Sequence, residues 1–137
     1  MNSSWEPIIV KTHRGQKSAF ASIGNGKIGF SQYACNLMNN PFQYNFVRVG
    51  KKHTGNEILI GFEFIKNDVG TGTYVLSRKR HKNKKTGRTA EIGGFEITNS
   101  TLAKALFGDD AMGKTKRYRV TLDNYNDKML IIHVPKQ

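Results

Sequence analysis

The sequence predicts a single α+β domain made of two fused ββαββ repeats, a pseudo-dimer of curved antiparallel sheets with two short helices. Three observations predict it. The halves of the 137-residue chain, about 5–68 and 69–137, answer one another: Ala21-x-Ile23-Gly24, then Ile28-x-Phe30-Ser31 and a helical pattern, matches Ala90-x-Ile92-Gly93, then Phe95-x-Ile97-Thr98 and a second helical pattern. Tyr44-x-Phe46 likewise matches Tyr118-x-Val120, and Ile58-x-Ile60 matches Met129-x-Ile131. Apolar residues alternate along most segments, the period of a strand with one buried face. Fourteen glycines suit tight bends between such strands. Two copies of so long a unit do not make a solenoid, so the halves are expected to share one core.

In chain order, Ile8–His13 is the first expected strand, followed by the basic loop around Arg14 and Lys17. Ala19 to Phe30 reads as one long extended segment that its glycines allow to bend. Ser31 is a plausible N-cap for a helix over Gln32–Met38, where Ala34, Leu37 and Met38 share a face. Asn39, Asn40 and Pro41 end it. Strands Tyr44–Val49 and Glu57–Ile65 follow, joined by a turn region through GKKHTGN, and Asp68–Gly72 is the next break. Tyr74–His81 and Thr89–Ile97 read as strands, then Thr98 opens a helix carrying Leu102, Ala105 and Leu106 that stops at Gly108. Tyr118–Leu122 and Met129–Val134 complete the set.

The charge pattern narrows the function class. Lysine and arginine number 22 against 10 acidic residues, giving +12, and the second half carries +8 of it. Such an excess is the electrostatic footprint of a polyanion binder. Between Arg78 and Arg88 seven of eleven residues are basic and none is acidic. A charge run is usually a solvated face or a disordered tail. This one joins two expected strands, so it is expected at the tip of a hairpin arm.

Catalysis and cofactors find little footing. Gly108–Thr115 (GDDAMGKT) fits the phosphate-loop pattern, but an expected helix precedes it and an expected strand follows, the reverse of what that loop needs. Gly24–Gly29 (GNGKIG) fits GxGxxG without a helix beginning inside it. His13, His53, His81 and His133 are scattered without ligand spacing, and no nucleophile has a base beside it. The lone Cys35 reads as a core thiol. The expectation is a binder: no catalytic residue, no metal, no cofactor. No apolar run approaches the length of a membrane span, and no signal segment is evident, so a cytoplasmic location is expected.

Single strands of nucleic acid are held by basic grooves that follow the backbone, together with rings on which bases stack. The expected main arm comprises Arg78, Lys79, Arg80, Lys82, Lys84, Lys85 and Arg88, with Arg14 and Lys17 as a weaker counterpart in the first half. Arg48, Lys51, Lys52, Lys116, Arg117 and Arg119 line the remaining strands, and Tyr44, Tyr74 and Tyr118 are the stacking candidates. Cations clustered on hairpins argue against a recognition helix in a major groove.

The run SRKRHKNKKTGRTAEIGGFEITNSTLAKAL, residues 77–106, resembles the region of the positive-cofactor-four family in which an arginine-bearing strand, a basic loop and a Gly-[Ile/Phe]-x-[Leu/Ile]-[Ser/Thr] strand lead into a helix. KRYRVTLDNYNDKMLIIHV is similar to that family's opening hairpin. With the related Whirly proteins in view, the resemblance implies a circularly permuted tandem unit that lays single-stranded DNA across curved sheets. A rival likeness is GKIGFSQYACNLM, which looks like the strand-into-helix segment of the swapped-hairpin regulators of the AbrB and MazE kind, binders of duplex DNA. The expected partner is single-stranded DNA bound with little sequence preference, in replication or recombination in a host or phage setting. RNA is the alternative ligand, no membrane is involved, and an exposed edge strand leaves a homo-oligomer open.

Overall fold

The computed structural model describes residues 18–82 and 84–136, and for 80–82 and 89–92 the backbone alone. The expected strand Ile8–His13, Arg14 and Lys17 lie outside the described residues. The elements are β1 (Phe20–Gly24), β2 (Lys27–Phe30), α1 (Gln32–Cys35), a 3-10 turn (Pro41–Gln43), β3 (Phe46–His53), β4 (Glu57–Ile65), β5 (Thr73–Val75), β6 (Ser77–Lys82), β7 (Thr89–Thr98), α2 (Ser100–Phe107), a second 3-10 turn (Gly108–Met112), β8 (Lys116–Leu122) and β9 (Met129–Pro135). The class is therefore mostly β with two short helices, in keeping with α+β.

All strands lie in one nine-stranded antiparallel sheet in the order β5-β3-β4-β9-β8-β1-β2-β7-β6. Its two outermost strands, β5 and β6, are separated in sequence by Leu76 alone. One residue thus joins the opposite edges of the sheet and rolls it into a nearly closed barrel. The Leu76 amide donates to the Asn45 carbonyl (2.9 Å), holding the joint against the start of β3. Inside, rings from strands far apart in the sheet meet: Phe30 of β2 lies 5.1 Å from Phe62 and 5.7 Å from Phe64 of β4, and Phe64 lies 5.7 Å from Phe95 of β7. Ile23, Ile28, Val47, Ile60, Ile97, Leu130 and Ile132 fill the same interior. These residues occupy alternate positions on their strands, as the period of two requires.

The helices close the barrel because of where their strands end. β2 and β7 are antiparallel neighbours, Ile28 opposite Ile97 and Phe30 opposite Phe95, and each runs directly into a helix. The helices must therefore leave at opposite ends of the sheet. α1 brings Ala34 and Cys35 to the core, α2 brings Leu102 and Ala103. Neither is long and apolar enough to cross a membrane.

Several expectations are corrected. Ala19–Phe30 is not one strand but the β1–β2 hairpin, reversed at Asn25-Gly26. Both turn residues have positive φ (53° and 74°), the conformation that a two-residue I′ turn demands and Asn-Gly supplies. The turn is fastened to the second 3-10 segment, its Asn25 and Gly26 amides donating to the carbonyls of Gly113 (3.1 Å) and Ala111 (2.8 Å). Ser31 does cap α1, its Oγ accepting from the Ala34 amide (3.1 Å), but the helix ends at Cys35 and Leu37 is 40% exposed. Asn99, not Thr98, caps α2, with Oδ1 accepting from the Leu102 amide (2.9 Å), because Thr98 is still paired with Lys27 in the sheet. β3 runs on to His53, so Lys51 and Lys52 stand on a strand, and the reversal is confined to the segment around Gly55. The expected strand Tyr74–His81 divides at Leu76 into β5 and β6.

Candidate nucleic-acid interface

β7 is longer than its inner neighbour. β2 pairs with it from Thr98 to Phe95, whereas β6 stays paired out to Lys82 and Thr89. The far part of β6–β7 is consequently a two-stranded ribbon, ending in a loop where Lys84, Lys85 and Arg88 are exposed. Gly93 and Gly94, at φ 74° and 109°, break the register between Arg78–Phe95 and Arg80–Glu91. A bulge of this kind turns a ribbon relative to the sheet it leaves. No side chain fits there: a Cβ on Gly94 would sit 2.4 Å from the Phe30 carbonyl oxygen. Arg80 and Lys82 belong to the ribbon by their backbone.

The expected arm also contained Arg78 and Lys79, and the structure puts both elsewhere. Arg78 is at the ribbon's base, donating through Nη2 to the Phe42 carbonyl (2.8 Å) with its guanidinium 5.2 Å from the centre of the Phe42 ring. Lys79 turns back over the barrel and is half-buried. Its methylene stem and ammonium lie over Gly29, 2.9 and 3.0 Å from where a Cβ would be. Burial pulls its pKa below the usual lysine value; Glu96 and Cys35 oppose the shift and Arg117 adds to it.

The remaining cations differ in how far carboxylates already hold them. Arg48 donates through Nε to Glu63 Oε1 (2.9 Å), and Glu63 also accepts from Asn126 Nδ2 (2.8 Å). The hydrogen bond from Arg48 is the main reason that the Glu63 carboxyl titrates below its ordinary range. Lys116 pairs with Asp110 (3.1 Å), and Arg119 lies 3.7 Å from Glu57 and 3.2 Å from His133 Nδ1. Arg117 lies over the Phe20 ring at 4.3 Å. Lys51 and Lys52 are exposed toward the end of β3.

The aromatic candidates change most. Tyr44 is 6% exposed and packs edge-on to Phe64, so its ring belongs to the core and is withdrawn as a stacking surface. Tyr118 is half-buried against Phe107 (5.7 Å between centroids), and Tyr74 is half-buried on the core. Phe20 beneath Arg117, Phe42 beneath Arg78, and the exposed Tyr33 were not among the expected residues. Tyr33 gave no legible signal, since it stands one helical turn before Leu37, a residue expected on the core face.

The two motif matches are also placed. α2 precedes Gly108–Thr115 and β8 follows, while Asp109 and Asp110 pair with Lys104 (3.9 Å) and Lys116. Gly24–Gly29 contains the β1–β2 turn. Cys35 is buried, and burial pushes its thiol up to about 11. Among the described residues no group of three or more His, Cys, Asp or Glu side chains is placed to hold a metal ion. No family model, curated protein or solved structure matches this chain. The site is read from its own chemistry.

Proposed function

We propose that the protein binds single-stranded DNA with little sequence preference, gripping the phosphate backbone with the β6–β7 arm. The observation that carries this reading is the arm itself, a basic ribbon whose loop exposes Lys84, Lys85 and Arg88 and whose base is built into the barrel. A ribbon anchored in this way holds its charges in place before the ligand arrives, which lowers the ordering cost of binding. The resemblance of residues 77–106 to the positive-cofactor-four and Whirly proteins points to the same class of ligand.

We also read the barrel as two fused repeats. The order strand, strand, helix, 3-10 turn, strand, strand recurs, and β2 pairs with β7 as β4 pairs with β9, each strand beside its counterpart. On this reading the counterpart of β1 is β6, so Ala21–Gly24 answers β6 and not the Ala90–Gly93 segment of β7 with which the sequence match paired it. The arm loop then stands where the first repeat has only Asn25-Gly26.

The test is anisotropy of a labelled dT strand of about 30 nucleotides against a mixed-sequence duplex of equal length, titrated with salt. Tighter binding to dT, with log K falling at about −0.7 per phosphate contacted, is the expected result. Replacing Lys82, Lys84 and Lys85 together with Gln weakens binding at every sequence alike and flattens the slope by about 2. An unchanged affinity identifies the arm as a solvated face. A preference for duplex moves the protein to the swapped-hairpin type of regulator, and no binding to either leaves RNA or a protein partner.

A further inference from the structure

We propose that Lys27, Lys79 and Arg117, converging on a small-residue floor on the outer face of β1 and β2, form a second phosphodiester subsite that carries a strand from the arm across the barrel. This rests on the single-strand reading above.

The floor follows from the register. Arg117, Ser22, Gly29, Glu96 and Ser77 lie side by side across β8, β1, β2, β7 and β6. Paired residues of antiparallel strands share a face, and their sequence neighbours Ala21, Ile23, Ile28, Phe30, Phe95 and Ile97 point into the core. The row therefore faces outward. It spans four strand spacings, roughly 19 Å at about 4.8 Å each, enough for several nucleotides. Ser22, Gly29 and Ser77 keep it shallow, so a sugar-phosphate backbone can approach the sheet closely.

Cations frame this floor. Lys79 lies flat upon it, Lys27 stands 3.8 Å from Glu96, and Arg117 covers Phe20. Glu96 is the one carboxylate among the described residues lining the cleft with Ser22, Gly24, Asn25, Lys27, Gly29, Lys79 and Thr115. Within that lining two lysines stand against one acid, so the cleft is positive. Lys79 is suited to an anion, because its ammonium is partly stripped of water, and a phosphate oxygen replaces that hydration where Glu96 offsets it only in part. Arg117, opposite Ser22 at the edge of the floor with its guanidinium on the Phe20 ring, adds a cation at that edge.

The experiment compares the wild type, the arm triple variant and the double variant Lys27→Gln/Lys79→Gln on the same labelled dT strand, with melting curves recorded for each. The double variant is expected to bind on the order of tenfold more weakly, with a salt slope reduced by about 1.4 for two lost contacts. Arg117→Gln is expected to weaken binding while shifting the slope by about 0.7. Should the double variant melt early, Lys27→Gln alone, at an exposed position, reads half of the slope change. A double variant that binds like the wild type, while the arm triple variant loses affinity, removes the subsite and leaves the arm. A wild type that fails to bind dT removes the single-strand reading and the subsite with it.

Discussion

Two faces of the barrel use the same backbone device to different chemical ends. On β2, Gly29 lacks a side chain and Lys79 lies across it; on β4, Gly61 lacks a side chain and Met129 lies across it, its Cε 2.0 Å from where a Cβ would be. The first face presents an ammonium over serine and glycine, rimmed by Lys27 and Arg117. The second presents a thioether between Leu59 and Ile131; beside it Arg48 pairs with Glu63, and Glu57 with His133 and Arg119, while Lys51 and Lys52 stand at its edge. Geometry alone does not separate the proposed ligand-binding face from a sealed one here. The side chain laid over the glycine, an ammonium in one case and a thioether in the other, does.

The largest way to disturb this contrast is at the bulge that ties the cationic face to its arm. Gly94→Ala puts a Cβ against the Phe30 carbonyl at a φ of 109°, so it is expected to cost about 3 kcal/mol. Calorimetry then shows a fall in Tm of roughly 10 °C. A melting temperature within a degree or two of the wild type shows that the bulge relaxes freely. The sharper comparison is Gly29→Ala against Gly61→Ala. Both new methyl groups meet the movable end of a long side chain, so each changes stability by about 1 kcal/mol or less. Only Gly29→Ala displaces a cation, and it alone is expected to lower dT affinity several-fold in the anisotropy assay. Equal effects from the two would erase the distinction between the faces.

The smallest effect concerns the matched charges. Glu63 is held below its ordinary value of 4.5 by Arg48, so the pair stabilises the fold above that value and its contribution is lost as pH falls through the lowered folded value. For a pair this exposed the amount is under about 1 kcal/mol. Urea denaturation between pH 7 and 2 reads it as a step in stability that Arg48→Met removes. A step that persists in the variant belongs to another carboxylate.

Much of the fold was legible locally. Glu57–Ile65 is a strand with the expected bounds because its alternation is unbroken and turn residues flank it. The β1–β2 reversal was also written in the chain: the buried positions change from odd (Ala21, Ile23) to even (Ile28, Phe30) across Asn25-Gly26, a phase shift that one strand cannot carry. What stayed hidden depends on residues far away. Tyr44 is buried because β4 places Phe64 beside it, and Lys79 leaves the arm because Gly29, fifty positions earlier, leaves room on β2. The charge run located a basic ribbon, but no local pattern tells which arginine has a glutamate opposite it in the sheet, as Arg48 has Glu63.

The strand order also sets a timetable for folding. β1 meets β8 with Ala21 opposite Tyr118, and β4 meets β9 with Gly61 opposite Ile131. Both pairings join distant parts of the chain, and such non-local closures are slow, on the order of milliseconds to seconds. Until β8 and β9 dock, β1 and β4 each expose an unsatisfied hydrogen-bonding edge beside the phenylalanine cluster. During that interval the nascent barrel is open to pairing with other chains, and the segment from Lys116 to Pro135 is what ends it.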